Sequence, residues 1–153
     1  MTPMTEWHYG EYTLSTERSR LDVSLIHDYL SNISYWAKGR TAEVVQRSID
    51  NSLCFGLYKS SAAENEQQIG FARVVTDYAT FAWLADVFVL ERYRGQGLAK
   101  WLIEVIVSHP QLHCFRRWVL ATRDAHELYR RFGFVELSEP AIWMERFVPG
   151  PSE

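Results

Sequence analysis

Cysteine is nearly absent: only Cys54 and Cys114 occur among 153 residues. Two thiols are too few to staple a domain of this length, so both are expected to be reduced and the fold must rest on its core. No run of about 18 apolar residues occurs, and the opening stretch 1–9 has neither a basic segment nor an apolar core. A membrane partner and a secretory route are therefore not expected, and the cytoplasm is the expected location. A basic block is missing as well. The 16 Lys and Arg are outnumbered by 19 Asp and Glu, for a formal net charge of −3, and nucleic acid is not an expected partner. Internal repeats and low-complexity segments are absent too. His109, His113 and Cys114 lie near one another, but Pro110 intervenes and their spacing is not that of a zinc ligand set, so no metal is expected.

What is present is material for a core. Hydrophobic residues make up 47% of the chain, aromatics 14% and charged residues 23%, the profile of a globular protein rather than a disordered one. The length fits one domain over residues 1–153, with the first ten and last five or so residues open to fraying. A chain of this size buries roughly two thirds of the surface it exposes when unfolded. A homodimer is compatible with the sequence.

Hydrophobic periodicity assigns the elements. A short β-prone stretch over 11–15 precedes Asp22, a good helix N-cap, behind which Ile26, Tyr29, Leu30 and Ile33 recur at helical spacing. Thr41 opens a second helix with Val44, Val45 and Ile49, which leaves 34–40 as a loop carrying Trp36 and Arg40. Strands are predicted over 53–59 and 69–76 around a polar turn at 60–68. The run 81–90 has one charge, Asp86, and reads as a central strand covered on both faces. A helix over 97–108 follows, with Leu98, Trp101, Leu102, Val105 and Ile106 on one stripe. Then come a strand over 117–122, a helix with Asp124 placed as its cap, and final strands over 134–137 and 142–147. The order describes an α/β (α+β) sandwich on one mixed sheet.

Arg92-Tyr93-Arg94-Gly95-Gln96-Gly97-Leu98-Ala99 lies between that buried strand and the first turn of an amphipathic helix. Main-chain N–H groups at a helix start are unsatisfied donors and attract anions. Gly95 and Gly97 let phosphates approach the backbone, and the Arg94 guanidinium can bond phosphate oxygens. The same residues also suit a tight turn in which the glycines solve a steric problem and the arginines are solvated. A P-loop would need Gly-Lys followed by Ser or Thr, and a dinucleotide fingerprint a third glycine; neither occurs.

The stretch Arg92-x-x-Gly95-x-Gly97 resembles the acetyl-CoA signature of the GCN5-related N-acetyltransferases (GNAT), and Ala125-His126-Glu127-Leu128-Tyr129 with Gly133-Phe134 resembles that family's second segment. The similarity runs over nearly the whole chain. It implies a mostly antiparallel sheet with helices on both faces, splayed between its fourth and fifth strands, where the arm of acetyl-CoA enters. By the same resemblance Val87, Phe88 and Val89 would pair with that arm, and Arg92, Arg94, Gly95, Gln96, Gly97, Leu98 and Ala99 would hold its phosphates. Many members carry Asn where this chain has Thr122, which can make fewer hydrogen bonds; Thr122 and Asp124 are the candidate contacts there.

Acetyl transfer to an amine needs a neutral nucleophile, a stabilised oxyanion and a proton for the departing thiolate. The resemblance makes Tyr129 the general acid; packing against Leu128 and Phe132 is the alternative. Asp86, a carboxylate within an apolar strand, either binds or deprotonates the acceptor's amine or holds neighbouring structure. The oxyanion would meet a backbone N–H near Val87 to Val89. By the same resemblance Trp36, Arg40 and Trp83, with Gly39 beside them, would line the acceptor pocket, where a guanidinium favours a carboxylate or phosphate on the acceptor; the alternative is that Trp36 closes the edge of the core and Arg40 is solvated. His27, His113 and His126 receive no role. Cys54 has no base nearby in sequence, which points to direct attack and not to a cysteine acyl-enzyme. The implied activity is transfer of acetyl from acetyl-CoA to a primary amine of a small molecule or peptide. The alternative is a CoA-binding regulatory module without turnover, against which Tyr129 speaks.

Overall fold

The computed structural model describes residues 5–61, 64–113 and 115–149; Cys114 and the ends of the chain fall outside them. Six strands form one sheet in chain order: β1 (Glu6–Tyr9), β2 (Tyr12–Ser15), β3 (Leu53–Ser61), β4 (Glu64–Thr76), β5 (Ala82–Val89) and β6 (Trp118–Val119). All neighbours are antiparallel except β5 and β6, which run parallel. Among the described residues the α-helices are α1 (Val23–Asp28), α2 (Ala42–Asp50), α3 (Leu98–Val107) and α4 (His126–Arg130).

The two expected caps hold the first helices. Asp22 accepts from the Leu25 N–H at 3.1 Å and Thr41 Oγ1 from the Val44 N–H at 3.2 Å, each satisfying an amide that a helix start leaves open. Between them α1 runs into a π-turn, Tyr29–Ile33, closed by the Ser34 N–H on the Tyr29 carbonyl at 2.9 Å. A π-turn adds a residue to the coil and commonly marks a functional site; here it delivers the chain into the loop that carries Trp36 and Arg40.

Because side chains alternate along a strand, consecutive residues of β4 serve opposite faces. Ala72 and Val74 join Leu84 against Leu98, Leu102, Ile103 and Ile106 of α3, and Tyr129 of α4 belongs to the same core. Phe71 joins Phe88 against Ile26, Tyr29, Leu30, Val45 and Ile49 of the first two helices. Helices therefore cover both faces of an α/β (α+β) fold with a mostly antiparallel sheet, and no helix among the described residues is long and apolar enough to cross a membrane.

Four local expectations are corrected. A hairpin strand, Glu6–Tyr9, precedes the predicted first strand, turned by Gly10 at φ +60°. The polar stretch 60–68 is mostly ladder, with Tyr58 opposite Gln68 and Lys59 opposite Gln67, because an exposed hairpin end needs no apolar alternation. The N-cap of α4 is Ala125 and not Asp124, and the helix start has no side-chain cap; the Ala125 N–H donates to Thr122 Oγ1 at 3.1 Å in the turn that leads into it. The runs 134–137 and 142–147 are not strands. The sheet edge beside them, β6, is two residues long, and a 3-10 turn beginning at Pro140 interrupts the chain, so their alternating apolar residues find no ladder to complete.

Among the described residues one buried side-chain group is unsatisfied. Tyr58 is 2% exposed, and its hydroxyl has no hydrogen-bond partner among the described residues while lying against the backbone of Gly56, where a Cβ would collide with it. Burial raises the phenol's pKa. Tyr58→Phe keeps the ring and removes the orphan, so it should stabilise the protein by about 1 kcal/mol, readable as an upward shift of roughly 2–4 °C in thermal melting.

Candidate active site

The site begins with a fault in β5. Phe71 pairs with Phe88 and Arg73 with Ala85, so Ala72 alone faces the two residues Asp86 and Val87: a β-bulge. Asp86 sits in the left-handed region at φ +54°, a conformation that Asp tolerates better than most residues. In a regular strand Asp86 would follow Ala82 and Leu84 into the α3 core. The extra residue reverses the alternation and turns its carboxylate to the face shared by Arg73, Trp36 and Arg40.

There it is fully engaged. Asp86 Oδ2 accepts from Arg40 Nη1 at 2.8 Å and from Arg73 Nε at 2.9 Å, and Oδ1 accepts from Trp36 Nε1 at 2.9 Å. The Asp86 side chain is 2% exposed, with Arg40 at 9% and Arg73 at 14%. Of the two sequence readings, this geometry favours a carboxylate that holds the wall of the cleft. Arg73, thirteen residues from Asp86 in the chain, was not distinguishable in sequence from a strand's solvated charge.

The other edge of β5 is open. Its parallel pairing with β6 is confined to Ala82 with Trp118 and Trp83 with Val119, so the strand beyond Leu84 diverges from β6. Because β1 precedes the predicted first strand, β5 and β6 are the predicted fourth and fifth strands, and this is the expected splay. Two clefts meet this edge. One, about 460 Å³, is lined by Tyr35, Trp36, Arg40, Arg73, Trp83, Asp86 and Val87 on one side and by Leu120, Thr122, Asp124 and Tyr129 on the other. It brings together all three predicted acceptor residues and both predicted catalytic ones. Tyr35 closes one side: its hydroxyl accepts from the Arg123 N–H at 2.8 Å, and the Arg123 guanidinium lies 4.3 Å from the ring centre.

The second cleft, about 340 Å³, is lined by Val89, Tyr93, Arg94, Gly95, Gly97, Leu98, Ala99 and Lys100, with Glu127, Leu128 and Arg131 opposite. Gly97 is the N-cap of α3 at φ +79° and Gly95 stands at +82°, so both glycines are required by backbone conformation. A Cβ at either would meet nothing within 4 Å, leaving the approach to the amides open. The helix start has no side-chain cap, and the Trp101 N–H is the first to bond back, to the Gly97 carbonyl. Uncapped amides beside Arg94, Lys100 and Arg131 suit a diphosphate. Lys100 and Arg131 carry no sequence signal that separates them from the solvated charges of other helices.

Three predicted cofactor residues line neither cleft. Phe88 is buried and stacks on Tyr29 with ring centres 4.0 Å apart. Gln96 ties the loop to β2 by accepting from the Tyr12 hydroxyl at 2.9 Å. The guanidinium of Arg92 lies over the Tyr93 ring at 5.1 Å. Arg94 braces as well as lines: Nε donates to the Val89 carbonyl at 2.9 Å and Nη2 to the Tyr29 hydroxyl at 2.7 Å.

Tyr129 is 8% exposed and its ring meets Phe134 edge-on. Its hydroxyl makes no hydrogen bond to a described residue, and the residue lines the larger cleft. Burial, then Tyr35 and Asp124, push the phenol up to about 12, so it holds its proton firmly. Cys54 is buried, raised to about 12 by desolvation, and lines neither cleft. His109 is 2% exposed against Trp7 and Phe55, and no metal-sized group of His, Cys, Asp and Glu exists among the described residues.

The Acetyltransferase (GNAT) domain family matches residues 52–136. A Gibberella zeae protein described as a candidate acetyltransferase is 28% identical over 155 residues, covering 91% of this chain and 88% of its own. A crystal structure of a candidate GNAT-family acetyltransferase from Xanthomonas campestris is 49% identical, covers 91% of this chain and 94% of its own, and superposes with a TM-score of 0.83. A candidate acetyltransferase from Clostridium acetobutylicum, solved with acetyl-CoA, has the same fold at a TM-score of 0.61 and 15% identity, covering 89% and 94% of the two chains.

Proposed function

The chain belongs to the GNAT acetyltransferase family, and from that premise we propose that it transfers acetyl from acetyl-CoA to a primary amine by direct attack. The observation that carries this reading is that two clefts lie along the same strand, β5: one is lined by uncapped amides and cations, the other by Tyr129 and a polar wall.

The residues present fit the co-substrate. The amides of Gly97, Leu98 and Ala99, with Arg94, Lys100 and Arg131, would receive its diphosphate, and Val87 and Val89 would flank its arm. When bound it supplies an activated acetyl thioester. The open edge of the bulged strand offers backbone N–H groups near Val87 to Val89 for the oxyanion, without a side chain being required. Tyr129 keeps a proton at its hydroxyl and hands it to the leaving sulfur; the proton lost by the amine returns to the phenol, directly or through water. The nitrogen–carbon bond forms as the carbon–sulfur bond breaks, and amide and free thiol result. Buried Cys54, protonated and outside both clefts, supports direct attack over an acyl-enzyme.

Gly97→Glu tests the assignment of the loop. A side chain at φ +79° costs roughly 1–2 kcal/mol, and its carboxylate would face the phosphates. Calorimetric titration with acetyl-CoA should show affinity reduced by about 100-fold or more, the equivalent of one or two lost charge-assisted bonds. Gly97→Asn, uncharged and tolerant of the left-handed region, should keep much of the binding. Unchanged affinity in Gly97→Glu would remove the phosphate assignment.

A further inference from the structure

We propose that the chain works as a homodimer in which two copies exchange arms, residues 142–148 of each entering a slot beside β6 of the other.

The sheet ends on an unfinished edge. Among the described residues β6 pairs with β5 alone and has no strand on its outer side. An open edge is a row of unpaired N–H and C=O groups that can take another strand. Beside it lies a third cleft of about 250 Å³, lined by 118–122, by 134–137 and by Tyr129 of α4. It is smaller than the roughly 300–1,000 Å³ usual for small-molecule sites. Two of its walls are stretches of backbone, and the second, 134–137, carries a strand pattern without a ladder. These are the walls of a missing strand. No residue of 138–149 lines the slot.

The strand that would fit is in the same chain but unseated. In extended register Ile142 and Met144 fall on one face of the arm, and Trp143 and Phe147 on the other, the pattern of a strand covered on both sides. Yet Met144 and Phe147 are 95% and 72% exposed. A 3-10 turn, Pro140–Ile142, leads into the arm, and the Trp143 ring lies against the Arg117 guanidinium at 5.3 Å, outside the slot. A short connection of this kind favours exchange between copies.

One chain thus supplies both an unfilled slot and an unseated strand, and a two-fold exchange satisfies both at once. A partner of other sequence would fill the slot and leave the arm in water. The area agrees with a second copy. The chain exposes 9826 Å², whereas a compact monomer of 17.9 kDa exposes about 8,000 Å². The excess of about 1,800 Å² per chain is above the roughly 800 Å² that each partner gives to a standard interface, and has the size of an obligate homodimer's. Leu120, Thr122 and Tyr129 line both the slot and the larger cleft, so the partner's strand would back the wall that carries Tyr129.

The test uses the full chain. Sedimentation equilibrium at micromolar concentration should give twice the 17.9 kDa of one chain. Hydrogen exchange on that dimer should find the amides of 143–147 protected by about 100-fold or more over an exposed segment, because a seated strand is hydrogen-bonded. Met144→Asp and Phe147→Asp in the arm, and Val135→Asp in the slot wall, alter side chains that are exposed in a single chain. Each should raise the dimer dissociation constant by about 30-fold or more, the worth of one interface hot spot. If these variants do not fold, the wild-type mass and exchange decide. A wild-type monomer overturns the inference, whether its arm is exposed or has returned to its own slot. A dimer whose arm exchanges freely overturns it too, as does one that the arm variants or Val135→Asp leave intact, since the copies would then meet on another face.

Discussion

Asp86→Ala should lower the unfolding free energy by about 3–5 kcal/mol, because it leaves two largely buried guanidiniums without their shared carboxylate. In a domain of this size that corresponds to a fall of roughly 6–20 °C in melting temperature. Backbone strain works in the same direction but is the smaller effect: alanine at φ +54° costs about 1–2 kcal/mol. Two companion variants separate the contributions. Asp86→Gly relieves the strain and still removes the carboxylate that the arginines share, so it should remain strongly destabilised. Asp86→Asn keeps an acceptor for the Trp36 indole and tolerates the left-handed region, so its loss reports the charge alone. A carboxylate that acted only as a catalytic base would behave in the opposite way, with turnover lost and melting unchanged. An unaltered melting temperature in Asp86→Ala would refute the structural role assigned to the ion triad.

The bulge that places Asp86 explains why this part of the site could not be read in sequence. Strand periodicity gives a side chain's face only while the register is regular, and a single residue in the left-handed region reverses it. Asp86 was visible as an anomaly within 81–90, but its partners were not: Arg40 lies 46 positions away and Arg73 thirteen. Elements governed by local rules were legible. The stripe of Leu98, Leu102, Val105 and Ile106 specified α3, Asp22 and Thr41 specified two helix starts, and Gly95 and Gly97 occupy left-handed positions. The runs 134–137 and 142–147 went the other way, since β-propensity describes a surface that fits a ladder and not the presence of one. Leu137, Ile142 and Met144 remain 42%, 64% and 95% exposed. The clefts themselves depend on where β5 and β6 part, which is a property of pairing between segments more than 30 positions apart.

Tyr129→Phe should reduce kcat by about 100-fold or more, within the range usual for loss of a positioned general acid, which is roughly 3 kcal/mol or more of transition-state stabilisation. The ring would still meet Phe134 and still fill its place in the core, so melting temperature and acetyl-CoA affinity should change little. The split between kcat and affinity is the diagnostic. The pH profile follows from the raised pKa. A phenol of ordinary acidity begins to lose its proton near pH 10, whereas burial, Tyr35 and Asp124 push Tyr129 up to about 12. Turnover should therefore climb with pH as the acceptor amine becomes neutral, and should not yet fall at pH 10. The same shift has a stability consequence of defined sign: the native state holds the proton more tightly than the unfolded chain, so this contribution is fully present below pH 10 and is lost as pH rises toward 12. Removing the hydroxyl should flatten the decline in stability measured by denaturant titration between pH 10 and 11. A variant with wild-type kcat would reduce Tyr129 to a packing residue of the α4 core and leave the departing thiolate to be protonated by solvent.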